Sequence, residues 1–395
     1  MNLSVKPALS VAINQMVYEM RAKGTDVISL SLGEAFFRLP LKSFEALDWN
    51  KGFHYSDSRG LPELRRVIAT HYGSKYGVLV DPEKELMVTS GSKLAIFMSI
   101  KALIKAGETV AIFEPAWVSY REQVILAGGI PVFLSFDKSF EGALILPERT
   151  RIVILNNPNN PAGRLYSHSE LVRIKRQCDK IGATLLVDEA YSDFVPDSSF
   201  LSAMSLGKGV VVVNSLSKNL GMSGWRLGYV IAEAEIINRI LILQQNLVTC
   251  APTLLQDYVA RYFDEILEIT HPQIQELLFK RKEVSELLES LSIKFLDGSS
   301  TFYFFVDATS LGVHGNVTEY CLGLLLDHGV SVVPGISYGD STSMFIRIAV
   351  GSEPVERIRE ALYMMISAAN TIQPREKLVS KQRALGISNF DWLSW

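Results

Sequence analysis

The sequence predicts an α/β protein with a large domain, built on a mostly parallel seven-stranded sheet covered by helices, and a smaller α+β domain. Between residues 86 and 232, seven apolar strand-like runs alternate with helical patterns. Most of these runs are continuously apolar, which is typical of strands buried on both faces. The chain is also large enough for a big core, since it has 395 residues of which 48% are hydrophobic. The predicted strands are Leu86–Thr89, Thr109–Phe113, Pro131–Phe136, Ile152–Leu155, Thr184–Val187, Val210–Asn214 and Leu227–Ala232.

The two ends of the chain predict the smaller domain. An amphipathic helix runs from Ala12 to Ala22, ends near Gly24 and precedes a short strand at Val27–Leu32. Helical periodicity dominates residues 233–292, and we expect this segment to carry the chain out of the large domain. The later predicted elements are strands at Thr301–Val306, Val330–Val333 and Met344–Val350, and helices around Val317–Asp327 and at Pro354–Ala369.

These elements set the expected domain limits. The large domain is predicted at 46–290, the small domain at 1–45 together with 291–370, and a C-terminal tail at 371–395. The tail ends in an aromatic cluster of Phe390, Trp392 and Trp395. Such residues are too apolar to be left in water, and we expect them to dock on the protein's own surface.

Composition excludes several classes of protein. The formal net charge of -3 and the lack of a long single-sign block argue against a nucleic-acid partner. We find no signal peptide, and no apolar stretch reaches the roughly 18–20 residues that a membrane helix needs. The three cysteines are few and odd in number, which suits a reducing cytoplasm and small buried side chains rather than disulfides.

A lysine that follows a buried strand is the first chemical signal. The valine run 210–213 leads directly into Asn214-Ser215-Leu216-Ser217-Lys218. A poorly solvated amine at this place has a lowered pKa and can attack a carbonyl. The hydroxyls of Ser215 and Ser217, with the guanidinium of Arg226, supply what a phosphate dianion needs. This combination suits a pyridoxal phosphate Schiff base, whereas a lone lysine after a strand would be an ordinary surface residue.

Other polar residues follow other predicted strands, where ligands collect in open α/β sheets. Gly91, Ser92 and Lys93 open a helix whose free N–H groups and dipole suit a phosphate, although an N-cap alone would explain them. Asp188 ends a buried strand, where a carboxylate is costly without a cationic partner; capping of the next helix is the alternative. Trp117 could stack on a flat ring or belong to the core.

Two more positions have an ordinary explanation beside the chemical one. Asn160 lies in the turn-forming segment 156–163, which is rich in asparagine and proline. Arg347 interrupts an apolar strand, where its planar fork suits a substrate α-carboxylate. Strand alternation alone would also allow Arg347 to lie on a solvent-exposed face.

The residues around the lysine resemble a known family. Ser215-Leu216-Ser217-Lys218 followed by Gly224-Trp225-Arg226-Leu227-Gly228 is similar to the lysine motif of class I/II aminotransferases, the fold-type-I pyridoxal phosphate enzymes. The resemblance implies that Lys218 forms the internal aldimine and that Ser215 and Arg226 hold the cofactor phosphate. It also implies that Lys218, once displaced, moves the substrate α-proton.

The resemblance assigns roles to the other motifs as well. Gly91, Ser92 and Lys93 match a turn that binds the cofactor phosphate through its main chain, rather than through a lysine charge. Trp117 matches the aromatic residue at the cofactor ring. Asp188 matches the acid that keeps the pyridine nitrogen protonated.

The remaining implied roles concern the phenolic oxygen, the substrate and a second subunit. Tyr191 and Asn160 match residues that bind the cofactor's phenolic oxygen, and Arg347 matches the arginine for the substrate carboxylate. Gly33 lies in a loop that commonly borders the substrate. Tyr55 resembles a tyrosine that reaches the neighbouring subunit's cofactor phosphate, which implies a homodimer with shared active sites.

The chain departs from the family pattern in two places. The loop reads Gly33-Glu34-Ala35-Phe36-Phe37 where the family usually has Gly-Glu-Pro-Asp-Phe, and this change indicates an unusual substrate. Ala162 replaces a more common threonine after Asn160-Pro161, which should leave the role of the asparagine intact.

The sequence therefore predicts a cytoplasmic aminotransferase of amino-acid metabolism or biosynthesis, which moves an amino group from an L-amino acid to a 2-oxo acid. A carbon–sulfur lyase or an amino-acid decarboxylase on the same fold is the alternative, because the cofactor performs the difficult step in all three. A non-catalytic cofactor-binding regulator is a further alternative. The amino donor stays open, although Phe36, Phe37 and Trp117 would tolerate a bulky side chain.

Overall fold

A computed structural model of the protein describes residues 5–40, 42–135, 146–147, 149–196, 200–369, 371 and 373–387. The strands are β1 (Ile28–Ser29), β2 (Leu86–Thr89), β3 (Thr109–Phe113), β4 (Ile130–Leu134), β5 (Thr150–Asn156), β6 (Thr184–Asp188), β7 (Val210–Ser215), β8 (Gly228–Ala232), β9 (Tyr303–Asp307), β10 (Val330–Ser331), β11 (Val333–Pro334) and β12 (Phe345–Ala349). The helices are α1 (Leu9–Ala22), α2 (Trp49–Gly52), α3 (Pro62–Tyr76), α4 (Ser92–Leu103), α5 (Tyr120–Ala127), α6 (His168–Ile181), α7 (Leu216–Asn219), α8 (Ala234–Leu247), α9 (Thr253–Ser290), α10 (Val317–His328), α11 (Val355–Ala368) and α12 (Arg375–Ala384). Short 3₁₀ helices lie at Ala203–Leu206, Ser223–Trp225, Ala308–Leu311 and Gly335–Tyr338.

The large domain contains the predicted seven-stranded sheet. Its strand order is β2-β8-β7-β6-β5-β3-β4, and only β8 runs antiparallel to its neighbours. The β3–β4, β3–β5, β5–β6 and β6–β7 pairs are parallel. Parallel neighbours require crossovers, and the helices between the strands cover both faces of the sheet. The predicted fold class is confirmed.

Strand β7 shows why these runs form a doubly covered sheet. All six of its residues are buried. Val210 and Val212 point into one hydrophobic cluster and Val211 and Val213 into the other, as the two-residue period of a strand requires. Because both faces of β7 are apolar, the strand has to be covered on both sides. The polar residues that directly follow it therefore lie at the carboxyl edge of the sheet.

The small domain contains two further sheets. Strand β1 pairs in parallel with β10, and β9, β12 and β11 form an antiparallel sheet in which β12 is central. Helices α1, α10, α11 and α12 contribute to the same core. The long helix α9 connects the two domains: residues 258–266 join a core of the large sheet, and residues 274–288 join the core of the small domain. The domain limits at 45/46 and 290/291 stay a prediction.

Two elements differ from the sequence predictions. The run Val330–Val333 is not one strand, because Val330–Ser331 pairs with β1 while Val333–Pro334 pairs with β12. The helical segment 233–292 is interrupted after Leu247, where Thr249 has a φ of 69° and Pro252 precedes the first turn of α9. A proline suits this position because its missing N–H is not needed at a helix start.

The C-terminal tail contains a helix that the sequence analysis did not assign. Helix α12 packs against α10, with Leu378 buried between them, and Lys381 forms an ion pair with Asp327 at 2.5 Å. The aromatic residues predicted to dock on the surface, Phe390, Trp392 and Trp395, lie outside the described residues, as does Phe136 at the end of a predicted strand. Among the helices described, none is long and apolar enough to span a bilayer.

Candidate active site

A cavity of about 220 Å³ opens at the carboxyl edge of the large sheet, where the small domain lies over it. Twelve of the residues predicted from the sequence line it. They are Gly33, Ser92, Lys93, Trp117, Asn160, Asp188, Tyr191, Ser215, Ser217, Lys218, Arg226 and Arg347. The remaining lining residues were not predicted: Ser10, Asn14, Asn156, Ala190, Ser223 and Tyr303.

Lys218 lies on α7, directly after β7, and its side chain is half-buried. The amine donates a 2.5 Å hydrogen bond to the carbonyl oxygen of Gly33. Burial lowers the pKa of Lys218 to about 8; the cations Arg347 and Arg226 lower it too, and only Glu34 opposes them. Roughly a tenth of this amine is therefore uncharged at pH 7, far more than for a lysine in water, and the uncharged form is what nucleophilic attack on a carbonyl requires.

The turn before α4 and the segment around Arg226 form an anion cradle. Gly91 has a φ of 85°, and a Cβ there would lie 2.7 Å from Nη2 of Arg226, so only glycine lets the guanidinium approach. Arg226 donates to the carbonyl of Ser223 at 2.6 Å and to Oγ of Ser217 at 3.5 Å. Together with the N-terminus of α4, these donors give a concentrated positive field.

Asp188 ends β6 and is buried at the base of the cavity. Its Oδ2 accepts a 2.7 Å hydrogen bond from the hydroxyl of Tyr120, and its Oδ1 accepts one from the N–H of Ala190 at 3.1 Å. Burial raises the pKa of Asp188 to about 6, and these two hydrogen bonds act in the opposite direction. A cation bound above this carboxylate would stabilise its charged form.

A network of side chains joins the large domain to the small one across the cavity. The amide of Asn160 donates to the hydroxyl of Tyr191 at 3.5 Å, and Nη1 of Arg347 donates to Oδ1 of Asn160 at the same distance. Arg347 also donates to the carbonyl of Ser31. With 3% of its surface exposed, Arg347 is buried, so the solvent-facing alternative is wrong.

Trp117 and Lys93 lie together on one side of the cavity. The Trp117 ring packs edge-on against Tyr120, with ring centroids 5.3 Å apart. The ammonium of Lys93 lies 5.1 Å from the centroid of the Trp117 ring. Burial lowers the pKa of Lys93, and the charge of Arg226 lowers it further. The side chain of Lys93 thus lines the cavity, whereas the resemblance implied a contact through its main chain.

Some predicted residues lie elsewhere. Tyr55 is 84% exposed and does not line the cavity, and its contact with a second subunit stays a prediction. Phe36 is exposed, and Phe37 stacks on Phe194 and packs against Gly221, so neither lines the cavity.

The missed residues gave weak signals. Tyr303 lies in an aromatic run, Phe302–Phe305, that is typical of core. Ser10 and Asn14 are polar positions on the amphipathic helix α1, and nothing local distinguishes them from solvent-facing residues. Tyr120 belongs to the same segment as Trp117. The sequence gives no sign, however, that its hydroxyl binds Asp188, which lies 68 positions away.

The donor set fits a phosphorylated pyridine aldehyde. The anion cradle, together with the hydroxyls of Ser215 and Ser217, suits the phosphate. The buried acid Asp188 suits a protonated ring nitrogen. The Nε of Arg347 is buried and has no hydrogen-bond partner among the described residues, which leaves a donor for a carboxylate.

Comparisons with known proteins agree with this geometry. Residues 25–363 match the family model described as aminotransferase class I and II. The chain is 33% identical over 356 residues to an aspartate aminotransferase of Thermotoga maritima, covering 86% of this chain and 90% of that one. It is 30% identical over 357 residues to aromatic-amino-acid aminotransferase 2 of Thermococcus litoralis, with the same coverage of each chain. The structure of the aspartate aminotransferase of Thermus thermophilus with maleate superposes with a TM-score of 0.82 at 27% identity, over 92% of this chain and 97% of that chain.

Proposed function

This chain belongs to the class I and II aminotransferases, and from that membership we propose its substrate class, its assembly and the task of each residue in the cavity. The family is pyridoxal phosphate-dependent, and the chain is an aminotransferase that acts on amino acids and 2-oxo acids. The observation that carries the proposal furthest is the position of Lys93.

The proposed substrates are dicarboxylic: an acidic L-amino acid as donor and an acidic 2-oxo acid as acceptor. Four cations line the cavity, and three have a task, since Lys218 holds the cofactor, Arg226 its phosphate and Arg347 the α-carboxylate. The fourth, Lys93, has no carboxylate partner within the described ranges, and Arg226 repels it. A second carboxylate on the substrate would relieve that repulsion.

The relatives support this substrate class. Those from Thermotoga maritima and Thermus thermophilus are aspartate aminotransferases, and the second was solved with maleate, a four-carbon dicarboxylate. An aromatic amino donor is the second candidate, because Trp117 and Tyr303 give the cavity two aromatic walls and a relative from Thermococcus litoralis is an aromatic-amino-acid aminotransferase.

Each side chain then has a defined task. When bound, the cofactor supplies an electron sink for the substrate's Cα–H bond. Lys218 would hold the cofactor covalently, and its amine, once released, would accept the substrate's α-proton and hold it for return. Asp188 holds the proton on the pyridine nitrogen. Tyr191 and Asn160 bind the phenolic oxygen, and Arg347 fixes the α-carboxylate.

The remaining residues position the cofactor and border the substrate. The backbone of Gly91 and Ser92 joins the hydroxyls of Ser215 and Ser217 and the guanidinium of Arg226 around the phosphate. Trp117 stacks on the ring, and Gly33 borders the substrate.

We also propose a homodimer in the cytoplasm that serves amino-acid biosynthesis. Tyr55 and Phe53 are 84% and 74% exposed, and both are larger and more apolar than a solvent-facing loop requires. In a dimer with shared sites, Tyr55 reaches the phosphate bound by the other subunit. Mixing inactive Lys218→Ala with Tyr55→Phe protein tests the sharing. With shared sites, the mixed dimer has one site that lacks both changes and one that carries both, so activity is regained. Without sharing, each site carries one change and no activity is regained.

A donor screen tests the substrate class. The purified enzyme, loaded with pyridoxal phosphate, is given single amino acids with 2-oxoglutarate, and glutamate formation is measured. We expect aspartate to react with the highest kcat/KM. A preference for phenylalanine or tyrosine would overturn the dicarboxylic proposal in favour of the aromatic one. Release of ammonia or of an amine without glutamate would contradict amino transfer.

A further inference from the structure

Tyr303 is a fully buried residue of β9 that lines the cavity and was assigned no task from the sequence. Its hydroxyl lies 2.8 Å from the hydroxyl of Tyr191, and the two rings are perpendicular, with centroids 5.6 Å apart. Its ring also lies 4.8 Å from the guanidinium carbon of Arg347. Tyr303 therefore contacts both the proposed ligand of the phenolic oxygen and the proposed ligand of the α-carboxylate.

Among the residues that the structure describes, the surroundings leave the Tyr303 hydroxyl a single hydrogen-bond partner. A Cβ at Gly33 would lie 2.8 Å from this hydroxyl, so the backbone of Gly33 closes that side. Across the described part of the chain, the hydroxyl of Tyr191 is the hydrogen-bond partner of the Tyr303 hydroxyl. A buried phenol that lost this bond would have an unsatisfied polar group.

Counting protons fixes the direction of the bond. A phenol has one proton and two acceptor positions. If Tyr191 gives its proton to the phenolic oxygen of the cofactor, it can only accept from its other neighbours. The amide of Asn160 donates to it at 3.5 Å, and Tyr303 must then supply its own proton.

We propose that Tyr303 is a positioning residue whose hydroxyl donates to Tyr191, so that the proton of Tyr191 points at the cofactor's phenolic oxygen. This inference rests on the proposed task of Tyr191. Hydrogen bonds in a chain polarise one another, so donation from Tyr303 makes Tyr191 a stronger donor. A stronger donor stabilises the anionic phenolic oxygen and lowers the pKa of the coloured lysine–cofactor linkage.

The test is a pH titration of the visible absorbance of the loaded enzyme. Tyr303→Phe removes the donor but keeps the ring against Phe302 and Arg347. Neighbouring hydrogen bonds strengthen one another by some 10–30%, so losing the Tyr303 hydroxyl weakens the bond from Tyr191 to the phenolic oxygen by about that fraction. We expect the pKa of the linkage to rise by about 0.2–0.6 of a unit as a result. Tyr338→Phe is the matched control: it also lies against Arg347, 5.6 Å away, but its buried hydroxyl has no partner among the described residues. We expect no shift from it.

A Tyr191→Phe background shows whether the effect passes through Tyr191. There, adding Tyr303→Phe should leave the pKa of the linkage unchanged. A shift of equal size in both backgrounds, a shift from Tyr338→Phe as large as that from Tyr303→Phe, or no shift from Tyr303→Phe would each overturn the inference. If no variant, nor the wild type, gives a visible band, the proposed function fails instead.

Thermal unfolding of the cofactor-free proteins is a second measurement that does not depend on the absorbance. Tyr191→Phe alone leaves the Tyr303 hydroxyl buried without a partner, whereas the double variant removes both hydroxyls. We expect the double variant to unfold at a temperature equal to or above that of Tyr191→Phe. A clearly lower temperature would show that Tyr303 has another partner, and the inference would be wrong.

Discussion

The hydroxyl of Tyr120 donates a 2.7 Å hydrogen bond to Oδ2 of Asp188, and both residues are buried. This bond favours the charged carboxylate, against the burial that raises the pKa of Asp188 to about 6. The acid proposed to hold the pyridine nitrogen is thus kept ionised by a neighbouring phenol from α5, the helix that follows β3.

Tyr120→Phe should therefore raise the pKa of Asp188 and weaken cofactor binding. Hydrogen bonds to charged groups contribute about 1.5–3 kcal/mol, so we expect the dissociation constant of pyridoxal phosphate to rise roughly ten- to a hundredfold. Titration of the cofactor-free protein with pyridoxal phosphate measures it. Tyr320→Phe is a control, because its hydroxyl donates to the carbonyl of Met365 in the small domain. Equal affinity in Tyr120→Phe and wild type would contradict the assigned partnership.

Cofactor capture should titrate with Lys218. With a pKa of about 8, set mainly by burial, roughly a tenth of this amine is uncharged at pH 7. The initial rate at which cofactor-free protein takes up pyridoxal phosphate should rise with pH through a midpoint near 8. Glu34 raises this pKa, so Glu34→Gln should move the midpoint down. A midpoint above 10, as for lysine in water, would show that the amine is not perturbed.

Lys93→Gln should change substrate choice and spare cofactor affinity. Loss of a charge-assisted contact to a distal carboxylate costs about 1.5–3 kcal/mol, so kcat/KM for aspartate should fall roughly ten- to a hundredfold. Alanine, which has no second carboxylate, should be affected little. If pyridoxal phosphate affinity falls and the ratio of the two donors stays constant, Lys93 serves the phosphate and not the substrate.

Glu189 should make the stability of the cofactor-free protein fall with rising pH. Its buried carboxyl accepts from Ser202 at 2.9 Å and from the N–H of Ala203 at 2.6 Å, yet burial raises its pKa to about 8. The folded state therefore binds a proton that the unfolded state releases above roughly pH 4.5, and the free energy of unfolding falls between about pH 4.5 and 8.

The matched variant is Glu189→Gln, which keeps the shape of the side chain but does not titrate. Denaturant unfolding at several pH values should give a flatter profile for this variant across that window. Superimposable profiles for variant and wild type would show that Glu189 does not hold its proton in the folded protein.

The sequence predicted the large sheet well because its signals are local. The valine run 210–213 is apolar at every position, so it indicates a doubly buried strand without knowledge of its neighbours. Polar residues directly after such strands, such as Asp188 and Lys218, must then meet at one edge, since parallel strands share their carboxyl ends. Twelve predicted residues accordingly line one cavity.

What the sequence could not show depends on contacts between distant segments. Tyr303 is one aromatic residue among four, and only the approach of Tyr191, 112 positions away, distinguishes it. Val333 does not continue strand β10, because it pairs with a different strand, β12. Helix α12 is polar along most of its length: of its two buried residues, Leu378 and Gln382, only Leu378 is apolar and joins the core.

The covalent attachment point of the cofactor tests the central claim most directly. The loaded enzyme is reduced with borohydride and digested, and the peptide that carries the reduced cofactor is sequenced by mass spectrometry, with Lys218→Ala as control. The account predicts a single label at Lys218 in the wild type and none in the variant. A label at Lys93 or any other lysine in the wild type, or an unlabelled protein, would contradict it.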